Sequence, residues 1–105
     1  MSYSIRPVAV NGLTTATNDT VTSTAKGSLI TGSSIMISVG IAAAFPIYIM
    51  FGGPNQATTL TSSTGFRLPA GFVGRLSVPP NSTHLYYLRI SSDSDISILG
   101  SDGGV

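Results

Sequence analysis

A chain of 105 residues is enough for one domain built on one core. It contains no cysteine, so neither a disulfide framework nor a thiolate metal site can form, and it needs no oxidising compartment. Only 9% of its residues are charged, against about 25% in an ordinary globular domain, and a net charge of +1 gives no field that would steer nucleic acid or anionic lipid.

The cations are Arg6, Lys26, Arg67, Arg75 and Arg89, the anions are Asp19, Asp93, Asp95 and Asp102, and glutamate is absent. Freely diffusing proteins use surface charge to stay soluble and apart. A chain that lacks it, with a positive mean hydropathy, is expected to bury much of its outside against neighbours. Glu, Lys and Gln, the strong helix formers, are nearly missing, while Ser, Thr, Ile, Val and Gly dominate and six prolines punctuate the chain. That mixture predicts short strands joined by tight turns.

Residues 1–27 are the most polar part and read as an N-terminal arm or edge strand. The opening Ser2-Tyr3-Ser4-Ile5-Arg6-Pro7 has no basic stretch leading into an apolar one, so no signal peptide is expected and synthesis is placed in a cytosol. Ile5 to Val10 suits an edge strand or arm, because Pro7 cannot donate to a central ladder. Asn11-Gly12 is a turn signal. Thr14 to Thr24 reads as weak strand, or as an extended arm that orders on a partner. The domain proper is expected over 28–105.

Residues 28–65 carry no charge. Ile35 to Phe51 is the most apolar run, and its 17 residues lie at the lower edge of membrane-spanning length. Pro46 interrupts it, no Lys or Arg flanks it closely, and β-branched residues crowd it. It therefore reads as two strands, Ser34–Ile41 and Pro46–Phe51. Gly52-Gly53-Pro54-Asn55 breaks the chain, and Ala57–Ser62 is a further strand candidate. Phe66-Arg67-Leu68 leads into a turn at Pro69-Ala70-Gly71, of type II character. In Phe72–Val78, Phe72, Gly74, Leu76 and Val78 share one face, with Val73, Arg75 and Ser77 on the other. Pro79-Pro80-Asn81-Ser82 turns the chain into His84–Ile90, where Tyr86, Leu88 and Ile90 alternate with Leu85, Tyr87 and Arg89. Ser92–Ser94 turns again, and Ile96–Leu99 is the last strand. Turn signals at this spacing predict a single all-β domain: a β-sandwich or jelly-roll of about seven or eight short strands with an extended N-terminal arm.

Little in the chain points to chemistry. The single histidine, His84, follows a Pro-Pro turn at the start of a strand, and no serine stands in a nucleophile elbow, so no catalytic residue is assigned. Asp93-Ser94-Asp95 looks like a fragment of a calcium loop, but such a loop needs a bidentate Glu, and a Ser/Asp turn is the simpler reading. One histidine and no cysteine make no zinc or copper set, and no cofactor is expected. Arg75 and Arg89 could share a face near Tyr86 and Tyr87, yet two arginines make no basic surface and no nucleic-acid partner is assigned. Asn18-Asp19-Thr20 and Asn81-Ser82-Thr83 match the glycosylation pattern but read as loops in a chain without a secretory signal.

Leu68-Pro69-Ala70-Gly71-Phe72, the passage through Val78-Pro79-Pro80-Asn81 into Leu85-Tyr86-Tyr87-Leu88, and Ile47-Tyr48-Ile49-Met50-Phe51-Gly52 upstream resemble small structural proteins of tailed bacteriophages, those of capsid decoration (cement) type. The resemblance covers roughly residues 35–99. It implies a β-sandwich on the outer capsid surface of a virion, assembled as a homotrimer, with the major capsid protein and itself as partners and no membrane. On that reading Tyr3, Ile5, Arg6, Val8 and Val10 are expected to touch the capsid, and Ile47, Ile49, Phe51, Tyr86 and Leu88 to form the oligomer interface. A tail or fibre module binding a host glycan or another tail protein is the competing expectation, with Tyr86, Tyr87, His84 and Asp93 as its candidate residues.

Overall fold

A computed structural model describes residues 16–30 and 32–101. Eight strands are described: β1 (Thr17–Val21), β2 (Lys26–Leu29), β3 (Ser34–Val39), β4 (Ile47–Gly52), β5 (Phe66–Leu68), β6 (Val73–Ser77), β7 (His84–Arg89) and β8 (Ser94–Ser101). They form two antiparallel four-stranded sheets, one ordered β1-β8-β3-β6 and the other β2-β7-β4-β5.

The pairings β1 with β8, β2 with β7, β3 with β6 and β4 with β5 are all present. The first four strands thus run back against the last four as one long antiparallel ribbon, and rolling that ribbon into two layers gives a jelly-roll. Every connection except β4–β5 crosses from one sheet to the other. The expected sandwich or jelly-roll is therefore what forms.

Alternation sets the layers. Ile35, Ile37 and Val39 of β3, Ile47 and Ile49 of β4, Leu85 and Tyr87 of β7, and Ile96 and Ile98 of β8 point inward and are buried. Phe72, Leu76 and Val78 pack against this core from one face of β6 and its flanks, and Val73, Arg75 and Ser77 of the other face are exposed. The apolar run Ile35–Phe51 is used as β3 and β4, and among the described residues no helix is long and apolar enough to cross a membrane.

Two turns set register. Phe72 N donates to Pro69 O across a turn with Gly71 at φ +82°, and Ser82 N donates to Pro79 O across one with Asn81 at φ 68°. Both place the residue that tolerates positive φ third in the turn, as type II geometry demands.

The structure departs from the expected elements in several places, among them β5, read only as a lead-in to a turn, and β8, which starts at Ser94 and runs to Ser101. The sandwich includes Thr17–Val21, ahead of the start expected at Ser28: β1 pairs with β8, and Val21 is fully buried in the core. Of the two readings of Thr14–Thr24, weak strand or extended arm, the strand is what Thr17–Val21 forms; its Thr and Asn side chains give a weak signal because an edge strand with one wet face buries little. β2 was missed because Gly27 and Ser28 have low strand propensity. Ala57–Ser62 is not a strand; Ala57–Thr59 forms a 3-10 turn. There Thr59 Oγ1 donates to Gln56 O at 2.7 Å and Thr64 Oγ1 to Thr59 O at 2.6 Å, so side chains capture the backbone groups that a ladder would need. β3 stops at Val39 because Gly40, at φ +62°, turns the chain away. The strand or arm expected over Ile5–Val10 lies outside the described residues.

Candidate interaction surfaces

The long side of the sandwich bounded by β1 and β2 is closed by polar groups. Asp19 faces inward from β1, since it stands opposite Ile96, and Lys26 faces inward from β2, opposite Tyr87. Tyr87 Oη donates to Asp19 Oδ2 at 2.7 Å and Lys26 Nζ reaches Asp19 Oδ1 at 3.3 Å. Lys26 Nζ also donates to Thr20 O at 2.9 Å. Burial opposes ionisation of Asp19, but bonds from Tyr87, Lys26 and the Thr20 N–H outweigh it and hold the carboxyl below its ordinary value. Burial, and then the Asp19 carboxylate, push the Tyr87 phenol upward.

At the end where β3 leaves for β4, Asp95 organises a loop. Its Oδ1 accepts the Ile41 N–H at 3.1 Å, and its Oδ2 accepts those of Ala42 and Ala43 at 2.9 and 2.8 Å. Burial opposes its charge, yet these N–H groups reverse the balance and the pKa is lowered. Ser94 Oγ, almost fully buried, donates to the carbonyls of Ala43 and Phe45. The Asp93-Ser94-Asp95 segment is thus a loop clamp. Asp93 itself pairs with Arg89 at 2.8 Å. No group of three or more potential metal-ligating side chains occurs among the described residues.

The outer face of the β2-β7-β4-β5 sheet carries His84, Tyr86 and Leu88 of β7 beside Tyr48 and Met50 of β4. Tyr86 points outward as expected but is only 3% exposed. Its ring lies over Gly27, where a Cβ would collide with it, and its hydroxyl donates to Gly53 O and accepts from Gln56 N at 3.0 Å. His84 stacks on that ring with centroids 5.9 Å apart, and its Nδ1 lies 2.8 Å from Thr83 Oγ1.

These positions redraw the residues read from the sequence. Of the expected oligomer interface, Ile47 and Ile49 are core, Phe51 packs against the core, and Tyr86 is covered by the chain's own β4–β5 loop and glycines, leaving only Leu88 half-open on an outer face. Alternation alone could not separate a core face from an interface face. The glycan candidates do not converge either: Tyr87 faces the core, Tyr86 and His84 face out, and Asp93 is bound to Arg89. Arg75 and Arg89 sit in different sheets. The expected capsid contacts Tyr3, Ile5, Arg6, Val8 and Val10 lie outside the described residues.

The side bounded by β5 and β6 is apolar instead of polar. A groove between the sheets there is lined by Ile49, Phe51, Phe66, Leu76 and Pro79. Phe66 is 68% exposed, and Val73, on the outer face of β6, is 64% exposed. This surface is not legible in the sequence, where Phe66-Arg67-Leu68 reads only as a lead-in to a turn. No family model, curated protein or solved structure matches the chain.

Proposed function

We propose that this chain is a non-enzymatic virion structural protein of capsid decoration type, which binds the outer surface of the head and bridges major capsid subunits as a homo-oligomer. The observation that carries this reading is a charge-poor surface with exposed apolar side chains on a jelly-roll, β1-β8-β3-β6 over β2-β7-β4-β5, whose core is aliphatic. Jelly-rolls serve viral shells, sugar-binding domains and metal-binding cupins, and fold alone does not choose among them. The choice rests on the site chemistry and on the resemblance. The described titratable groups with shifted pKa values are engaged in holding strands and loops together. A surface poor in charge with exposed Leu29, Ile41, Phe66 and Val73 suits a protein that works by contact.

Binding to an expanded head would stabilise it by mass action, and many copies around symmetry axes would add avidity. The test is co-sedimentation of purified protein with expanded heads, alongside its solution mass by light scattering. Saturable binding to heads by a discrete oligomer, most simply a trimer, is expected. Binding to isolated tails or to a glycan array, with none to heads, would overturn the reading.

A further inference from the structure

The two long sides of the sandwich are finished differently. Asp19, Lys26 and Tyr87 close the β1/β2 side with hydrogen bonds. On the β5/β6 side, the groove over Ile49, Phe51, Phe66, Leu76 and Pro79 is apolar, and among the described residues β5 pairs only with β4 and β6 only with β3. An unpaired edge beside exposed apolar side chains is a template for another strand. β6 carries no proline or lysine that would blunt it.

The register shows which segment is delivered there. Thr17 is level with Ile98, which is level with Ile37, which is level with Gly74. Because β1 runs parallel to β3, the chain before Thr17 leads toward the end marked by Ser34, Ser77 and Ser101. The groove opens at that same end, where Leu76, Ser77 and Pro79 line it. Crossing from β1 to a strand added outside β6 means four strand spacings, about 19 Å. The seven steps from Val10 to Thr17 span up to about 23 Å. Ile5-Arg6-Pro7-Val8-Ala9-Val10 has the pattern for the position: Val8 and Val10 fall on one face of an extended segment, and Pro7 suits an outermost strand, where one row of N–H groups has no ladder to serve.

We infer that residues 5–10 of the same chain cover this groove as an added edge strand, with Val8 and Val10 set against Phe51, Phe66 and Leu76. The proposal is independent of the capsid reading. It gives Val8 and Val10 a role inside the chain in place of the capsid contact expected from the sequence.

The test uses the full-length protein with a benzophenone photo-crosslinking amino acid at position 8. Crosslinks to peptides containing Phe51, Phe66 or Leu76, on a species of monomer mass, are expected. Crosslinks confined to other surfaces would overturn the proposal, and crosslinked dimers would overturn the same-chain assignment by showing that a second copy supplies the segment. A full-length Val8→Asp, Val10→Asp variant gives a second readout. It should bind more of a hydrophobic dye and lower the folded-to-unfolded ratio by at least about tenfold, as expected when two valines leave an apolar site. Unchanged dye binding and stability together with lost head binding would overturn the groove assignment while leaving the capsid reading intact. Weakened stability with head binding retained would support the groove assignment alone.

Discussion

The Tyr87 hydroxyl donates a 2.7 Å hydrogen bond to Oδ2 of Asp19, a residue 68 positions earlier in the chain. Tyr87 lies in one sheet and Asp19 in the edge strand of the other, so this bond joins the two layers on the side where Lys26 completes the closure. A hydrogen bond to a charged acceptor contributes about 1.5–3 kcal/mol when its partner is lost. Tyr87→Phe keeps the buried ring and removes only the hydroxyl. It should lower unfolding stability by about 1–2 kcal/mol, at the low end because Asp19 keeps Lys26 and the Thr20 N–H. Asp19→Ala should cost more, since it strands both the hydroxyl and Lys26. A Tyr87→Phe protein as stable as the parent in urea unfolding would show that the bond does not join the sheets energetically.

Acid should weaken the fold through Asp19 and Asp95. Both have folded pKa values below the ordinary 3.8, so each contributes stability that is complete above that value and is lost as pH falls through the lower folded one. Stability should therefore be insensitive to these two groups near neutrality and decline below 3.8. In Asp95→Asn the acid decline should be shallower, and the loop Ile41–Ala43 should exchange its amide hydrogens faster at pH 7 because one carbonyl replaces a carboxylate that holds three N–H groups. Urea midpoints recorded against pH for the two proteins check this.

Tyr87 supplies the opposite limb. Its folded pKa is raised above 10.0, so its contribution is complete below that value and is lost as pH rises through the folded one. Alkaline unfolding should begin above pH 10.0, and Tyr87→Phe should shift that limb while leaving any contribution from other tyrosines in place. Tyrosinate absorbance followed alongside circular dichroism separates the two.

Gly27 and Tyr86 should behave as one unit. A methyl group on Gly27 would overlap the Tyr86 ring, so Gly27→Ala should destabilise by about 1–3 kcal/mol. In a Tyr86→Ala background the same change has no ring to meet and should be neutral or mildly stabilising, because alanine loses less backbone entropy than glycine. The double-mutant cycle measures the coupling directly; additive losses would mean that the ring does not rest on Gly27.

Gly71 and Gly53 make a contrasting pair. Neither site has an atom within 4 Å of an added Cβ, but only Gly71 has a positive φ, at +82°. Gly71→Ala should therefore cost about 1–2 kcal/mol through backbone strain alone. Gly53→Ala should be neutral or raise stability by about 0.4–1 kcal/mol. Thermal unfolding midpoints moving in opposite directions would bear this out.

Much of the architecture was legible locally. Strands β3, β6 and β7 announce themselves by alternation, and the turns at Pro69-Ala70-Gly71 and Pro79-Pro80-Asn81 by residues that fix φ or tolerate its positive range. These are properties of a few neighbouring residues, so a single sequence determines them: an all-β chain, punctuated at regular intervals, without the charge to keep its surface apart. Tertiary structure decided the rest, because the deciding contacts are remote. Asp19 finds Tyr87, and Asp95 finds Ala42 53 residues away, only after the ribbon has rolled. Alternation alone puts Tyr86 and Tyr87 on opposite faces, but only the packed sheets decide that Tyr87 enters the aliphatic core and Tyr86 lies on Gly27. Thr59 and Thr64 turn a strand-like stretch into a hydrogen-bonded loop. The apolar side chains that meet along the β5/β6 groove come from three strands and a turn, so their juxtaposition exists only in the folded jelly-roll.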